Sequence, residues 1–196
     1  MFLHELSRSA SKQWPTKVES EAYGVLVRET FENRCPYCRV DLLSTTPVVE
    51  HLDGMNRYRV GLHVAGNVLI ACRRCNSEKR RDDSLLKLVI AESGWESFLS
   101  HTGSCDAGCK TCAYWKEIWP ADSERCSQLS ENLGRIRLFR SRFPEFESMR
   151  ARISLALPAL VTKLYSDCQD FAEDEIRKLL ALFAESSADS DEAQQR

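Results

Sequence analysis

The sequence predicts an α+β protein, with a small β-prone stretch embedded in a mainly helical chain of 196 residues. Three observations carry this prediction. Apolar residues recur at helical spacing before residue 31 and again after residue 129. Between those regions, Val48-Val49 and Val68-Leu69-Ile70-Ala71 form short runs of strand-favouring residues. Two Cys-x-x-Cys pairs, Cys35/Cys38 and Cys72/Cys75, bracket both runs.

Taken in order, residues 1–30 read as an N-terminal helical segment, where Val18, Ala22, Val25 and Leu26 point to a helix running towards Phe31. Residues 31–83 hold the two β-prone runs and a short helix from Asn76 to Arg81. Asp82 or Asp83 is placed to cap a further helix from about Ser84, which Gly94 would end. Residues 84–128 thus read as that helix plus a Cys-rich insertion. From 100 to 128 the insertion is rich in Cys, Gly, Ser and Asp and lacks sustained periodicity. Residues 129–186 are helical, with Ile153, Leu157, Leu160, Val161 and Leu164 on one face and a kink expected at Pro158. Ile176, Leu179, Leu180 and Phe183 line another face. Residues 187–196 read as a disordered acidic tail, since Ala is the sole apolar residue type there.

Composition narrows the class. A chain 43% hydrophobic and 29% charged reads as soluble and globular. No apolar run approaches the ~20 residues that span a bilayer. His4 and Glu5 interrupt the start where a signal peptide needs a basic end and an apolar core. The expectation is an intracellular, cytoplasmic protein without membrane contact. The net charge of −2 does not advertise a nucleic-acid partner. Basic residues nevertheless gather locally: Arg57, Arg59, Arg73, Arg74, Lys79, Arg80 and Arg81 stand against Glu78 within that span, with Asp53, Asp82 and Asp83 beside it.

Nine cysteines, an odd number in a chain of cytosolic character, argue against a disulfide framework. Their pairing argues for metal. Two residues between cysteines let both thiolates face one ion from a tight turn, and two such turns complete a tetrahedral site. Cys35, Cys38, Cys72 and Cys75 are therefore the expected ligands of a structural Zn²⁺, closing the loop 39–71. Four buried thiols without metal are the plainer alternative. His101, Cys105, Cys109 and Cys112 offer four soft ligands in twelve residues and form a candidate second zinc site, with Cys126 in reserve. Cys168 reads as a helix core residue.

Glu50-His51 at the end of a β-prone run, Asn67 five residues before Cys72, Asn76 directly after Cys75 and Lys79 three residues later together resemble the HNH endonuclease family in its zinc-knuckle form. The resemblance covers about a quarter of the chain. It implies a small ββα-metal core with a Cys₄ zinc staple, and metal-dependent hydrolysis of phosphodiester bonds. By that resemblance, Glu50 and Asn76 hold a catalytic Mg²⁺ or Mn²⁺ and His51 is the general base. Asn67 holds the connecting loop and helps orient His51, and Lys79 contacts phosphate. The chemistry suits these residue types. An imidazole titrates near neutrality, and a hard cation prefers oxygen ligands. Two positions depart from the family's commonest pattern: Glu50 stands where Asp is frequent, and Asn76 where many members carry His.

Arg57, Arg59, Arg73, Arg74, Arg80 and Arg81 are the expected phosphate-binding set, since arginine pairs bidentately with phosphate. His63, in the intervening loop, reads as a surface residue. A second run, Arg135, Arg137, Arg140, Arg142, Arg150 and Arg152, is a candidate for duplex docking, with Phe139, Phe143 and Phe146 read as core. The expected partner is DNA, with RNA open to the same chemistry. A second copy or a partner protein would dock through the C-terminal helices. A role in restriction or antiviral defence is the expected setting. Two rivals stand beside the endonuclease: a zinc-ribbon binding module without catalysis, and a nuclease subunit active only in a larger complex.

Overall fold

A computed structural model describes residues 2–55, 61–81, 94–103 and 105–194. It divides into two compact units, Met1–Leu155 and Ala156–Arg196. The first unit is mainly helical around one two-stranded antiparallel sheet, an α+β arrangement.

Helix α1 spans Phe2–Gln13 and helix α2 Glu21–Phe31. Ser20 caps α2, its hydroxyl accepting from the Tyr23 backbone N–H at 3.3 Å. The buried stripe of α2 is Tyr23, Val27 and Phe31, whereas Val25 is exposed. The aromatic at each end of that stripe sets the packed face: Tyr23 and Phe31 both meet Phe139.

Strand β1 spans Pro47–His51 and pairs with β2, Val68–Cys72, with Glu50 opposite Leu69 and His51 opposite Val68. Helix α3 follows without a break over Arg73–Arg81 and packs on both strands. It starts three residues before the expected Asn76. The loop returning from β1 to β2 closes where the Gly61 N–H donates to the Gly54 carbonyl at 3.0 Å. A Cβ on Gly61 would overlap the Asp53 carbonyl, so only glycine fits. Gly66 takes φ +91° and lies against Phe143 and Phe146.

Helix α4 spans Gly94–Leu99, α5 Lys110–Ile118, α6 Asp122–Ser141 and α7 Pro144–Gln194. The expected helix from Ser84 lies outside the described residues, and Gly94 begins a helix where it was expected to end one. The insertion is more ordered than its composition suggests, because aromatic packing organises it. Phe98 meets Trp115 at 4.8 Å between ring centroids, and Trp115 stacks on Trp119 at 5.5 Å. Helix α6 accordingly begins at Asp122, ahead of the expected Leu129.

In the second unit the chain is helical through Gln194, across the stretch expected to be disordered. Glu and Ala are good helix formers, and neither Gly nor Pro follows Pro158, which the helix passes through. Cys168, expected in a core, is exposed, as is Cys126 in the first unit. No described helix is long and apolar enough to cross a membrane.

Candidate metal centres and candidate active site

The two knuckles meet. The sulfurs of Cys35, Cys38, Cys72 and Cys75 lie within 4.8 Å of one another, and all four residues are buried. The pair Cys38–Cys72 is 3.7 Å apart. With bonds of ~2.3 Å to sulfur, a tetrahedral zinc spaces its ligands roughly 3.7 Å apart, so the group is compatible with structural zinc. Backbone N–H groups face the sulfurs: Cys72 donates to Cys35 Sγ at 3.5 Å and Cys75 to Cys72 Sγ at 3.4 Å. The Tyr114 hydroxyl, from α5, lies 3.0 Å from Cys75 Sγ. Burial pushes the Cys35 and Cys75 thiols up, which sets a cost on charging them that a bound cation offsets.

A second group forms from His101, Cys105, Cys109 and Cys112, whose ligand atoms also lie within 4.8 Å of one another. Its three sulfurs converge on His101 Nδ1 at 3.2 Å from Cys109, 3.5 Å from Cys105 and 3.7 Å from Cys112. His101 and Cys112 are buried, Cys109 is half-buried and Cys105 is exposed. Hydrogen bonding with Cys112 pushes the Cys105 thiol up to about 11.

Glu50 sits on β1 with its side chain buried beneath Tyr37 and Lys79. The Tyr37 hydroxyl donates to Glu50 Oε1 at 3.0 Å, and Lys79 Nζ forms an ion pair with the same oxygen. Lys79 Nζ also donates to the carbonyls of His51 at 2.7 Å and Leu52 at 3.1 Å. Burial, then the Glu50 charge, pushes the Tyr37 hydroxyl well above its ordinary range, so it stays a donor. Lys79, expected on a phosphate, is 4% exposed and spent on this oxygen cage. Asn76 is half-buried on α3.

The pair's weight can be measured. Lys79→Met leaves a buried carboxylate beside a phenol, and removing one partner of such a pair typically costs ~3–5 kcal/mol. Thermal melts should show that loss, with most of the stability recovered in Lys79→Met/Glu50→Gln. Equal melting of Lys79→Met and parent would contradict the pair.

At the strand's end, His51 Nε2 lies 3.1 Å from His63 Nδ1. His63 is held in turn by the Ser7 hydroxyl, which accepts from its backbone N–H at 2.7 Å, and its Nε2 faces Glu19 at 3.7 Å. His63 is therefore no plain surface residue. Its sequence position in a loop carried no periodic signal to say so. Asn67 is fully buried and ties the loop: its Oδ1 accepts from the Asp53 N–H at 2.8 Å, and its amide donates to the carbonyls of Asp53 at 3.1 Å and Leu62 at 2.9 Å.

Of the expected phosphate-binding arginines, Arg57 and Arg59 lie outside the described residues, and Arg80 and Arg81 are described in backbone alone. Arg73 is exposed at the start of α3. Arg74 is also exposed but makes a bidentate pair with Glu117, at 2.9 and 2.6 Å, and lies over the Tyr114 ring.

In the second arginine run Arg140 is buried, Arg135 and Arg150 are half-buried, and Arg137, Arg142 and Arg152 are exposed. Arg140 is buried against Asp53 at 3.0 Å and Arg150 joins the same carboxylate at 3.2 Å. Arg135 pairs with Glu32 and Glu131, Arg137 with Glu96, and Arg142 donates to Thr30 Oγ1. Arg135, Arg137, Arg140 and Arg150 thus have carboxylate partners within the chain, whereas Arg142 and Arg152 are exposed. Phe139, Phe143 and Phe146 are buried.

Compared with family models, curated proteins and solved structures, the chain shows no match.

Proposed function

We propose that the protein is an endonuclease of the HNH type, hydrolysing phosphodiester bonds in DNA, with His51 as the general base and zinc on Cys35, Cys38, Cys72 and Cys75. The observation that carries the reading is His51 at the end of β1, set beside His63 and next to a buried acid, in a hairpin that runs directly into a helix bearing Asn76. In this reading the hairpin and α3 are the ββα-metal core.

The histidine pair suits base catalysis. A proton on His63 Nε2, facing Glu19, leaves His63 Nδ1 as an acceptor. In that tautomer His51 is the donor of the 3.1 Å contact, and the histidine pair is proposed to take the proton from water. Asn67 keeps the loop that carries His63 closed on β1. A divalent cation would supply Lewis acidity at phosphorus, and Glu50 and Asn76 are the oxygen donors available to hold it. Lys79 already neutralises Glu50, so the cation must displace that ammonium to use it.

Incubation of the purified chain with supercoiled plasmid and Mg²⁺ or Mn²⁺ tests the reading. Nicked or linear product that requires the metal is the expected result, and no product with any divalent ion opposes it.

Phosphate binding has its own readout. Each phosphate contact on B-DNA adds about 0.9 to the slope of log affinity against log salt. Arg73→Ala should lower the slope by about that amount, whereas Arg74→Ala should lower it less, because Glu117 already meets its charge. Unchanged slopes for both variants would assign these arginines to a solvated surface.

A further inference from the structure

The two cysteine groups differ in how they are built, and the difference has a functional meaning. The ligands of the first come from separate elements: Cys35 and Cys38 from the turn before β1, Cys72 from the end of β2 and Cys75 from α3. All four are buried. Releasing an ion there means parting a paired hairpin from a helix. The ligands of the second lie in twelve consecutive residues, one of them, Cys105, is exposed, and only Cys112 sits within a helix. Opening it needs nothing beyond local unfolding of the segment before α5, and local opening is far cheaper than opening a core.

The second group is nonetheless well formed. With bonds of ~2.3 Å to sulfur and ~2.0 Å to nitrogen, a tetrahedral zinc sets sulfur and nitrogen roughly 3.5 Å apart. The three sulfurs stand at 3.2, 3.5 and 3.7 Å from His101 Nδ1. Three soft sulfurs and one imidazole are a zinc donor set, and hard oxygen-preferring ions are poorly served by it.

The group also governs α5. Cys109 caps that helix, its sulfur accepting from the Cys112 N–H at 3.5 Å. Two residues beyond Cys112, Tyr114 reaches Cys75 Sγ, and Trp115 fills the space between Phe98 and Trp119. Whatever fixes the start of α5 therefore fixes the tyrosine on the first group.

We propose that His101, Cys105, Cys109 and Cys112 bind a zinc ion that exchanges with solvent, independently of the buried four-cysteine group, and that this ion anchors the start of α5. The site stands whether or not the chain cleaves nucleic acid.

Zinc release into a chromophoric chelator tests it on the full chain. The parent should carry two zinc ions, one per group, and release them in two phases. The fast phase should be accompanied by a change in tryptophan emission, reporting Trp115 and Trp119. Cys105→Ser should carry one ion, lack the fast phase and keep the slow one. A single slow-releasing ion in the parent, two ions leaving in a single phase, or two ions retained by Cys105→Ser would overturn the proposal. Loss of both ions from Cys105→Ser would overturn the independence of the sites. A failure of the four-cysteine zinc reading looks different: the parent would then carry a fast ion alone and Cys105→Ser none.

Discussion

Cys72→Ser is expected to unfold the hairpin and its flanking helices, not merely to slow a reaction. Cys72 ends β2, and its sulfur is 3.7 Å from Cys38 while accepting the Cys75 N–H. Loss of one thiolate therefore loosens the strand end, the first knuckle and the start of α3 together. Structural zinc contributes on the order of 10 kcal/mol in small modules, comparable to the whole stability of a domain. The two-stranded sheet has little to set against that, since an isolated hairpin is marginal in water. Circular dichroism of Cys72→Ser should show no cooperative melt of the parent's kind, and elemental analysis should find the slow-releasing zinc gone. Folded, active protein without zinc would remove the metal from the account.

His51→Ala should act on chemistry alone. General-base catalysis typically contributes ~10²–10⁴-fold, so plasmid cleavage should fall by at least the lower figure while DNA binding stays near the parent's. Asn76→Ala removes a metal ligand instead, so raising Mg²⁺ should partly restore it and should not restore His51→Ala. If His51→Ala cleaves like the parent, the endonuclease reading fails. A zinc-bearing nucleic-acid binder would then be the better description.

The parts of this structure that the sequence made legible are those whose spacing is itself the chemistry. Two residues between ligands, repeated, is a local rule that brings Cys35, Cys38, Cys72 and Cys75 together, and four soft ligands within twelve residues bring the second group together. The hairpin strands were legible for the same reason, as short runs of β-favouring residues beside a knuckle. What escaped was pairing at a distance. Tyr37 lies between two cysteines with no pattern of its own, yet its hydroxyl holds Glu50. Lys79 looked like a phosphate contact on a basic helix and is buried on that same carboxylate. His63 meets His51 across a twelve-residue separation, and Arg140 meets Asp53 across eighty-seven. No periodicity encodes such contacts, because a side chain's partner depends on which helix packs over it. The basic clusters follow the same logic, since Arg74 meets Glu117 and Arg140 meets Asp53. Counting charges along the chain cannot tell an arginine bound to phosphate from one bound to its own chain's glutamate.

The cassette formed by residues 31–83 is tied at several points to the rest of the first unit. Asn132 of α6 donates to the Tyr37 carbonyl at 2.8 Å, inside the first knuckle. Arg140 and Arg150 neutralise Asp53, and Tyr114 faces Cys75. Grafted onto another scaffold, the cassette would arrive with a buried aspartate uncompensated and a knuckle carbonyl left without its donor. Fusion, domain swapping or truncation that cuts between α3 and α7 therefore transfers the motif without its support. All of these ties lie within the first unit, Met1–Leu155.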